Sequence, residues 1–242
     1  MRKKITAIVT AIALALCLGA CSIGYVDETS FVNEVTEVAV KASVKIIAEH
    51  GASESAPLYI GSGAIYDYAD GRYYALTNNH VVEDIPQYGK TALLVFDCYG
   101  NLYEGRVEKT SAADDLAVVS FAVSAGYGTM PETLEIAAEN ARKNALVAAV
   151  GSPDGQFNAV TLGRILRYAP VTLTEETSAS RVEYAVVCHT AVIHGGSSGG
   201  MLVDKNMRIV GINYAGGSDE ETGDFIEGYA VPAEKINAFL RA

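Results

Sequence analysis

From Val40 onward the chain is cut into short apolar, β-branched or aromatic runs between Gly, Asp and Asn turns, and that rhythm limits the fold more than any other feature. The runs Ser43 to Ile47, Ser62 to Tyr68, Arg72 to Thr77, Thr91 to Phe96, Tyr103 to Val107 and Ala117 to Phe121 read as strands. Asp70-Gly71 and Tyr99-Gly100-Asn101 read as hairpin turns. A stretch from Thr129 to Asn144, rich in Ala and Glu, breaks the rhythm and reads as a connector with room for a helical turn. Strands then resume at Ala145 to Val150, Ala159 to Tyr168, Val182 to Cys188, Met201 to Val203, Arg208 to Tyr214 and Gly228 to Val231. Two such sets joined by one connector predict an all-β chain of two packed barrels, with no residues left over for a second domain. A short helix is expected at each end. Phe31, Val32, Val35 and Val38 share one face behind a Ser30 cap, and Ile236, Phe239 and Leu240 share one face after Pro232.

The first residues belong to a different class of segment. Arg2, Lys3 and Lys4 precede an apolar run from Ile5 to Leu18, too short to span a bilayer, which reads as a secretory leader. It ends in Leu18-Gly19-Ala20-Cys21, which resembles the lipobox of bacterial lipoproteins, where the Cys thiol is acylated and becomes the new N-terminus. The alternative is an ordinary signal peptide with an incidental Cys. On the lipobox reading, residues 1–20 are removed, Cys21 carries the lipid and residues 21–29 form a polar tether. Removal takes Arg2, Lys3 and Lys4 and no acids, moving the formal charge from −11 to −14. So acidic a chain has no electrostatic means of gripping nucleic acid or anionic lipid, so its membrane contact would rest on the acyl chains. Nothing after Cys21 is apolar enough to cross a membrane.

Four cysteines are present, of which Cys17 lies in the leader and Cys21 at the anchor. Cys98 and Cys188 read as separate, partly buried thiols, although an oxidising compartment would also allow one bridge. The strongest local signal for chemistry is Gly195-Gly196-Ser197-Ser198-Gly199-Gly200, lying between two strand patterns. Acyl transfer needs a hydroxyl on a tight turn whose neighbouring N–H groups converge, and glycine permits both the turn and close approach of a peptide carbonyl. The hydroxyl needs a base. Of the four histidines, His80 is fixed at a strand-to-turn junction, His50 reads as a solvated loop residue, and His189 and His194 as strand histidines beside the glycine run. A metal site from Cys188, His189 and His194 lacks a fourth ligand, and no metal or cofactor is expected. Asp114 and Asp115 precede an apolar strand and offer a carboxylate to orient the imidazole.

Three blocks make a resemblance specific: Thr-Asn-Asn-His-Val-Val at 77–82, Asp-Leu-Ala-Val-Val at 115–119 and Gly-Ser-Ser-Gly-Gly at 196–200. In order and spacing they resemble the HtrA/DegP branch of the trypsin-like serine proteases. Gly61-Ser62-Gly63, Gly151-Ser152-Pro153 and Gly211-Ile212-Asn213 support it. The resemblance covers the chain from about Phe31 to its end, giving a protease domain over 30–242. It implies two antiparallel six-stranded barrels, over about 40–125 and 145–231, and a terminal helix over 232–242. It assigns His80 as base, Asp115 as orienter and Ser198 as nucleophile, with the N–H groups of Gly196 and Ser198 as oxyanion hole.

Three departures stand out. Ser197 occupies a position where the family carries Asn or Asp, and His194 one where Asn is common. The chain ends at the terminal helix, so a PDZ module, and substrate capture through one, is not expected. The resemblance also implies a substrate pocket with Val192 and Ile193 at its floor and Ile212, Asn213 and Tyr214 along its wall. With no carboxylate there, cleavage is expected after small or medium aliphatic residues. The acidic loop Asp219, Glu220, Glu221 and Asp224 would act only on outer subsites. The implied function is hydrolysis of exposed or unfolded protein segments at the cell surface through an acyl-enzyme. The alternative is a catalytically silent peptide-binding lipoprotein that takes peptides by strand addition, and an esterase-like activity would need no other residues.

Overall fold

Alternation along β1 (Ser43–His50) turns Val44, Ile46 and Ala48 inward and leaves Lys45 and Glu49 outward, as a half-buried strand requires. It closes an antiparallel barrel with β2 (Leu58–Ala69), β3 (Arg72–Thr77), β4 (Thr91–Asp97), β5 (Leu102–Ser111) and β6 (Leu116–Ala122), in the order β1-β2-β3-β6-β5-β4. A second closed barrel, ordered β10-β11-β12-β9-β8-β7, is built from β7 (Leu146–Gly151), β8 (Ala159–Ala169), β9 (Val186–His189), β10 (Met201–Val203), β11 (Ile209–Ser218) and β12 (Phe225–Pro232). These are the two six-stranded barrels the rhythm predicts, and closure leaves neither sheet with a free edge.

The computed structural model describes residues 27–51, 57–84, 91–123, 129–173, 178–219 and 221–242. The leader, Cys21 and the tether up to residue 26 lie outside them. Packing divides the chain at Phe31: residues 32–242 form one unit that holds both barrels, and the described part of the other is residues 27–31. Among the described residues no helix is long and apolar enough to cross a membrane.

Turn chemistry sets the hairpins. Asp70 and Gly71 both have positive φ, 51° and 76°, the left-handed pair that a two-residue hairpin needs. Asp97, fully buried, accepts the N–H groups of Tyr99 and Asn101, each at 2.9 Å, and so closes the β4–β5 turn.

Several expectations are corrected. Ser30 lies inside the N-terminal helix Glu28–Glu37, and it is Asp27 Oδ1 that accepts the Thr29 N–H at 3.2 Å. The connector has no helix. Pro131 opens a segment whose N–H groups at Glu132, Leu134 and Ala137 donate to Lys41, Ile65 and Ile209, so backbone bonding to both barrels overrides its Ala and Glu content. The strand expected from Val182 begins at Val186, after a 3₁₀ turn at Ser178–Arg181. His50 is not solvated. It ends β1 at 2% exposure, edge-on to Tyr59 at 5.1 Å, and burial lowers its pKa. Cys98 and Cys188, by contrast, are separate thiols as expected. The C-terminal helix Ala233–Arg241 buries Ile236 and Phe239, with Leu240 half-buried.

Candidate active site

β3 ends at Thr77, and the single helical turn Asn79–Val82 that follows holds His80 at the barrel rim. Asp115 closes the turn before β6 with φ 48°, a left-handed backbone that aspartate tolerates better than most residues. Its peptide is pinned by Asn78, whose Nδ2 donates to the Asp115 carbonyl at 2.8 Å. The fully buried carboxylate then takes two bonds from one residue. Its Oδ1 accepts the His80 N–H at 2.9 Å and its Oδ2 lies 2.7 Å from His80 Nδ1. With Nδ1–H on Asp115, a neutral His80 keeps Nε2 free as a proton acceptor. Asp114 is spent locally, its Oδ2 accepting from Ser111 Oγ at 2.7 Å.

His80 and Ser198 line one cavity of about 650 Å³. Ser198 Oγ lies 3.4 Å from the Tyr214 carbonyl oxygen and donates there, a long bond for a hydroxyl. The loop before it is held peptide by peptide. Asp154 N–H donates to Gly195 O at 2.7 Å, and Gly200 N–H to Ser197 O at 2.9 Å. The C=O and N–H of a trans peptide point in opposite directions, so each tie turns away the N–H on its own peptide, that of Gly196 and that of Ser198. Among the described residues neither of those N–H groups donates to protein. Gly196 has φ 89°, and a Cβ there would meet the Ser152 carbonyl at 2.5 Å, so only glycine fits. Ser197, 5% exposed, completes the loop. Its Oγ accepts the His194 N–H at 3.1 Å and its own N–H donates to His194 O at 2.9 Å.

The cleft wall differs from the expected one. Ile193 and Tyr214 line the cavity, but Val192 is 40% exposed beside a different, very small hollow, and neither Ile212 nor Asn213 reaches the cleft. A bulge between Asn213 and Ala215 breaks the β11 alternation at Tyr214. Ile212, ahead of the bulge, lies in the barrel core, and beyond the bulge the wall runs on through Ala215, Gly216 and Gly217 to Phe225 and Tyr229. Sequence spacing missed these residues, although two glycines inside a strand pattern signal a close approach. It also missed Val171, Thr172 and Leu173 on the facing side, where no motif marks them.

Behind Tyr229 lies Glu227, 8% exposed, gripped by the two Arg167 guanidinium nitrogens at 2.6 Å each and accepting from Tyr229 Oη at 3.2 Å. The Arg167 bond holds the Glu227 carboxyl below its usual range, so this carboxylate is already neutralised and offers no free charge to the cleft. His189 lies in β9 with Nε2 3.0 Å from Asn213 Oδ1, and burial pushes its pKa down to about 4. His194 lies outside any strand and is exposed. Among the described residues no cluster of His, Cys, Asp and Glu could hold a metal ion.

Two closed six-stranded barrels with these groups in the cleft define a chymotrypsin-like peptidase fold, and the chain belongs to the family of the trypsin-like peptidase domain, whose model matches residues 61–212. It is similar to the serine protease Do-like HtrA of Lactobacillus helveticus, at 30% identity over 73% of this chain and 41% of that one. It is equally similar to the Do-like HtrA of Bacillus subtilis, at 30% over 73% of this chain and 37% of that one. This chain thus spans about two fifths of the length of these relatives. Among solved structures, the HtrA-type protease AlgW with tripeptide shares the fold at a TM-score of 0.68 and 23% identity, covering 87% of this chain and 62% of that one.

Proposed function

We propose that this chain is a serine endopeptidase in which His80, Asp115 and Ser198 form the catalytic triad. The observation that carries the reading is the 2.7 Å pairing of Asp115 with His80 Nδ1, which leaves Nε2 as base in the cleft that Ser198 also lines. In this mechanism a substrate carbonyl enters the cleft and His80 Nε2 takes the Ser198 hydroxyl proton as Oγ attacks the carbonyl carbon. The N–H groups of Gly196 and Ser198 receive the developing oxyanion. His80 returns its proton to the leaving amine, and a water deprotonated by His80 then hydrolyses the acyl-enzyme. Asp115 stays ionised throughout, holding the imidazole in one tautomer and stabilising its charged form.

The substrates of this reading are exposed or unfolded protein segments, extended enough to lie along β11. The protein acts outside the cytoplasm, anchored through a lipid on Cys21, a reading supported by the leader and lipobox pattern of residues 1–21. A peptide-binding protein without turnover is the second reading, and the Ser198 bond to Tyr214 O, in place of one to His80, is the observation in its favour. Such nucleophile–base bonds are often long or misaligned without substrate. A fluorophosphonate probe separates the two. Labelling of the wild-type chain and of Ser197→Ala, with none of Ser198→Ala, is the expected result. An unlabelled wild type overturns the triad.

A further inference from the structure

Ser62 is fully buried in β2, in the first barrel, yet most of its polar groups are spent on the second. Its N–H donates to the Ser198 carbonyl at 2.7 Å, and its Oγ donates to the Gly196 carbonyl at 2.7 Å and accepts the Ser152 N–H at 2.8 Å. Its own carbonyl accepts from Thr77 Oγ1 at 2.7 Å, three residues before His80. There is no slack around it. A Cβ on Gly151 would meet Ser62 Oγ at 2.9 Å, and one on Gly199 would overlap the Ser62 carbonyl.

Three consecutive peptides make up the loop that presents the two free N–H groups. The carbonyls of Gly195 and Ser197 are tied by backbone N–H groups, from Asp154 and Gly200. The middle carbonyl, that of Gly196, is tied by a side chain, and the same hydroxyl also holds Ser152, in the turn that supplies Asp154. Backbone ties follow wherever the chain is laid, whereas a hydroxyl can be removed without moving the chain. We propose that Ser62 is a positioning residue, whose hydroxyl locks the Gly196–Ser197 peptide and the turn Ser152–Gly155 so that the N–H groups of Gly196 and Ser198 converge on the oxyanion. The proposal rests on the reading of Ser198 as nucleophile.

Preorganised donors act on the charge that develops in the transition state, so disordering them lowers kcat and leaves ground-state binding alone. Ser62→Ala is expected to lower kcat about 10- to 100-fold, less than the about 10²- to 10³-fold that follows loss of a donor itself. KM stays within about twofold. A peptide aldehyde, which forms a tetrahedral adduct on the serine, should lose affinity by about the same factor as kcat, while the matching product peptide binds unchanged. The midpoint of the acid limb of the pH–rate profile should not move, because the His80–Asp115 pair is untouched, and a merely loosened fold would shift all five readouts together. If Ser62→Ala does not fold, Ser62→Cys, which keeps the shape with a weaker donor, carries the test and should lose a smaller part of kcat. A folded Ser62→Ala with full kcat and full aldehyde affinity overturns the proposal, as does a change confined to KM. Ser62→Cys at full kcat overturns it likewise. Labelling of the wild type by a fluorophosphonate reports on Ser198 separately. An unlabelled wild type overturns both readings, and a labelled wild type beside a fully active Ser62 variant overturns only this one.

Discussion

Asp115 joins two demands in one residue, a buried carboxylate facing His80 and a backbone with φ 48°. Asparagine meets the second but not the first. It tolerates the left-handed region, yet its amide can present N–H groups to His80 Nδ1 and so favour the tautomer with the proton on the wrong nitrogen. Asp115→Asn is therefore expected to fold normally and to lose about 10⁴-fold in kcat/KM, read from hydrolysis of a denatured protein beside a thermal melt. Asp114→Asn disturbs only a local bond to Ser111 and should retain most activity, and a large loss there would mean the wrong aspartate had been assigned. Ser197→Ala removes the acceptor of the His194 N–H, which is worth about 1 kcal/mol of stability, but it leaves both free N–H groups and the Ser198 hydroxyl in place. Activity near that of the wild type is expected.

β11 is the element on which selectivity turns. Its bulge at Tyr214 delivers Gly216 to the cleft, where an added Cβ would lie 3.5 Å from Ile193 Cγ1 and 3.7 Å from Phe225 Cε2, ordinary contact rather than a clash. The wild type should cut after Ala, Val or Leu, because the wall is apolar and Glu227 behind it is already paired with Arg167. Gly216→Val fills that space without straining the strand. It should lower kcat/KM for a Leu substrate by about 10- to 100-fold while sparing an Ala substrate. Cleavage-site profiling of a denatured protein mixture by mass spectrometry reads both, and a majority of cuts after Lys or Arg would sink this description of the pocket. The strands themselves were legible because inward Val44, Ile46 and Ala48 alternate with outward residues, a pattern that local sequence carries in full. The motif blocks were legible too, since His80, Asp115 and Ser198 each lie beside turn residues of fixed chemistry. The wall was not. The resemblance implied the consecutive residues Ile212, Asn213 and Tyr214, of which only Tyr214, where the bulge breaks the alternation, lines the cleft together with residues after it. Nor was Ser62, whose partners at 152, 196 and 198 meet it only after both barrels close.

At the scale of the whole molecule, charge and burial act through different conditions. Removal of residues 1–20 would leave a chain of charge −14 that anionic lipid repels, so Cys21→Ala should move the protein from the membrane to the soluble fraction with its activity intact. An unmodified Cys21 in the mass spectrum of the mature wild type would exclude the anchor. Acid should loosen the second barrel through His189, which is fully buried and whose pKa burial lowers to about 4. Its setting leaves no room to relax, because a Cβ on Gly228 would overlap the ring. In the unfolded chain the same imidazole titrates near 6.5, so between those values the unfolded state binds a proton that the folded state refuses, and stability rises with pH. Read downward, the folded state loses ground from about pH 6.5 and the loss is complete near the folded pKa, about 3 kcal/mol in all. The Glu227 carboxyl, held low chiefly by Arg167, also loses stability as pH falls, but only from the ordinary glutamate value downward, and because Arg167 outweighs His189 in holding it low, most of that loss is shared by a His189 variant. His189→Gln keeps a donor for Asn213 Oδ1 and does not titrate. Urea unfolding at pH 7 and pH 4.5 should therefore show a larger drop for the wild type than for His189→Gln, by about 2–3 kcal/mol. Equal drops in the two proteins would show that the acid sensitivity lies elsewhere than at His189.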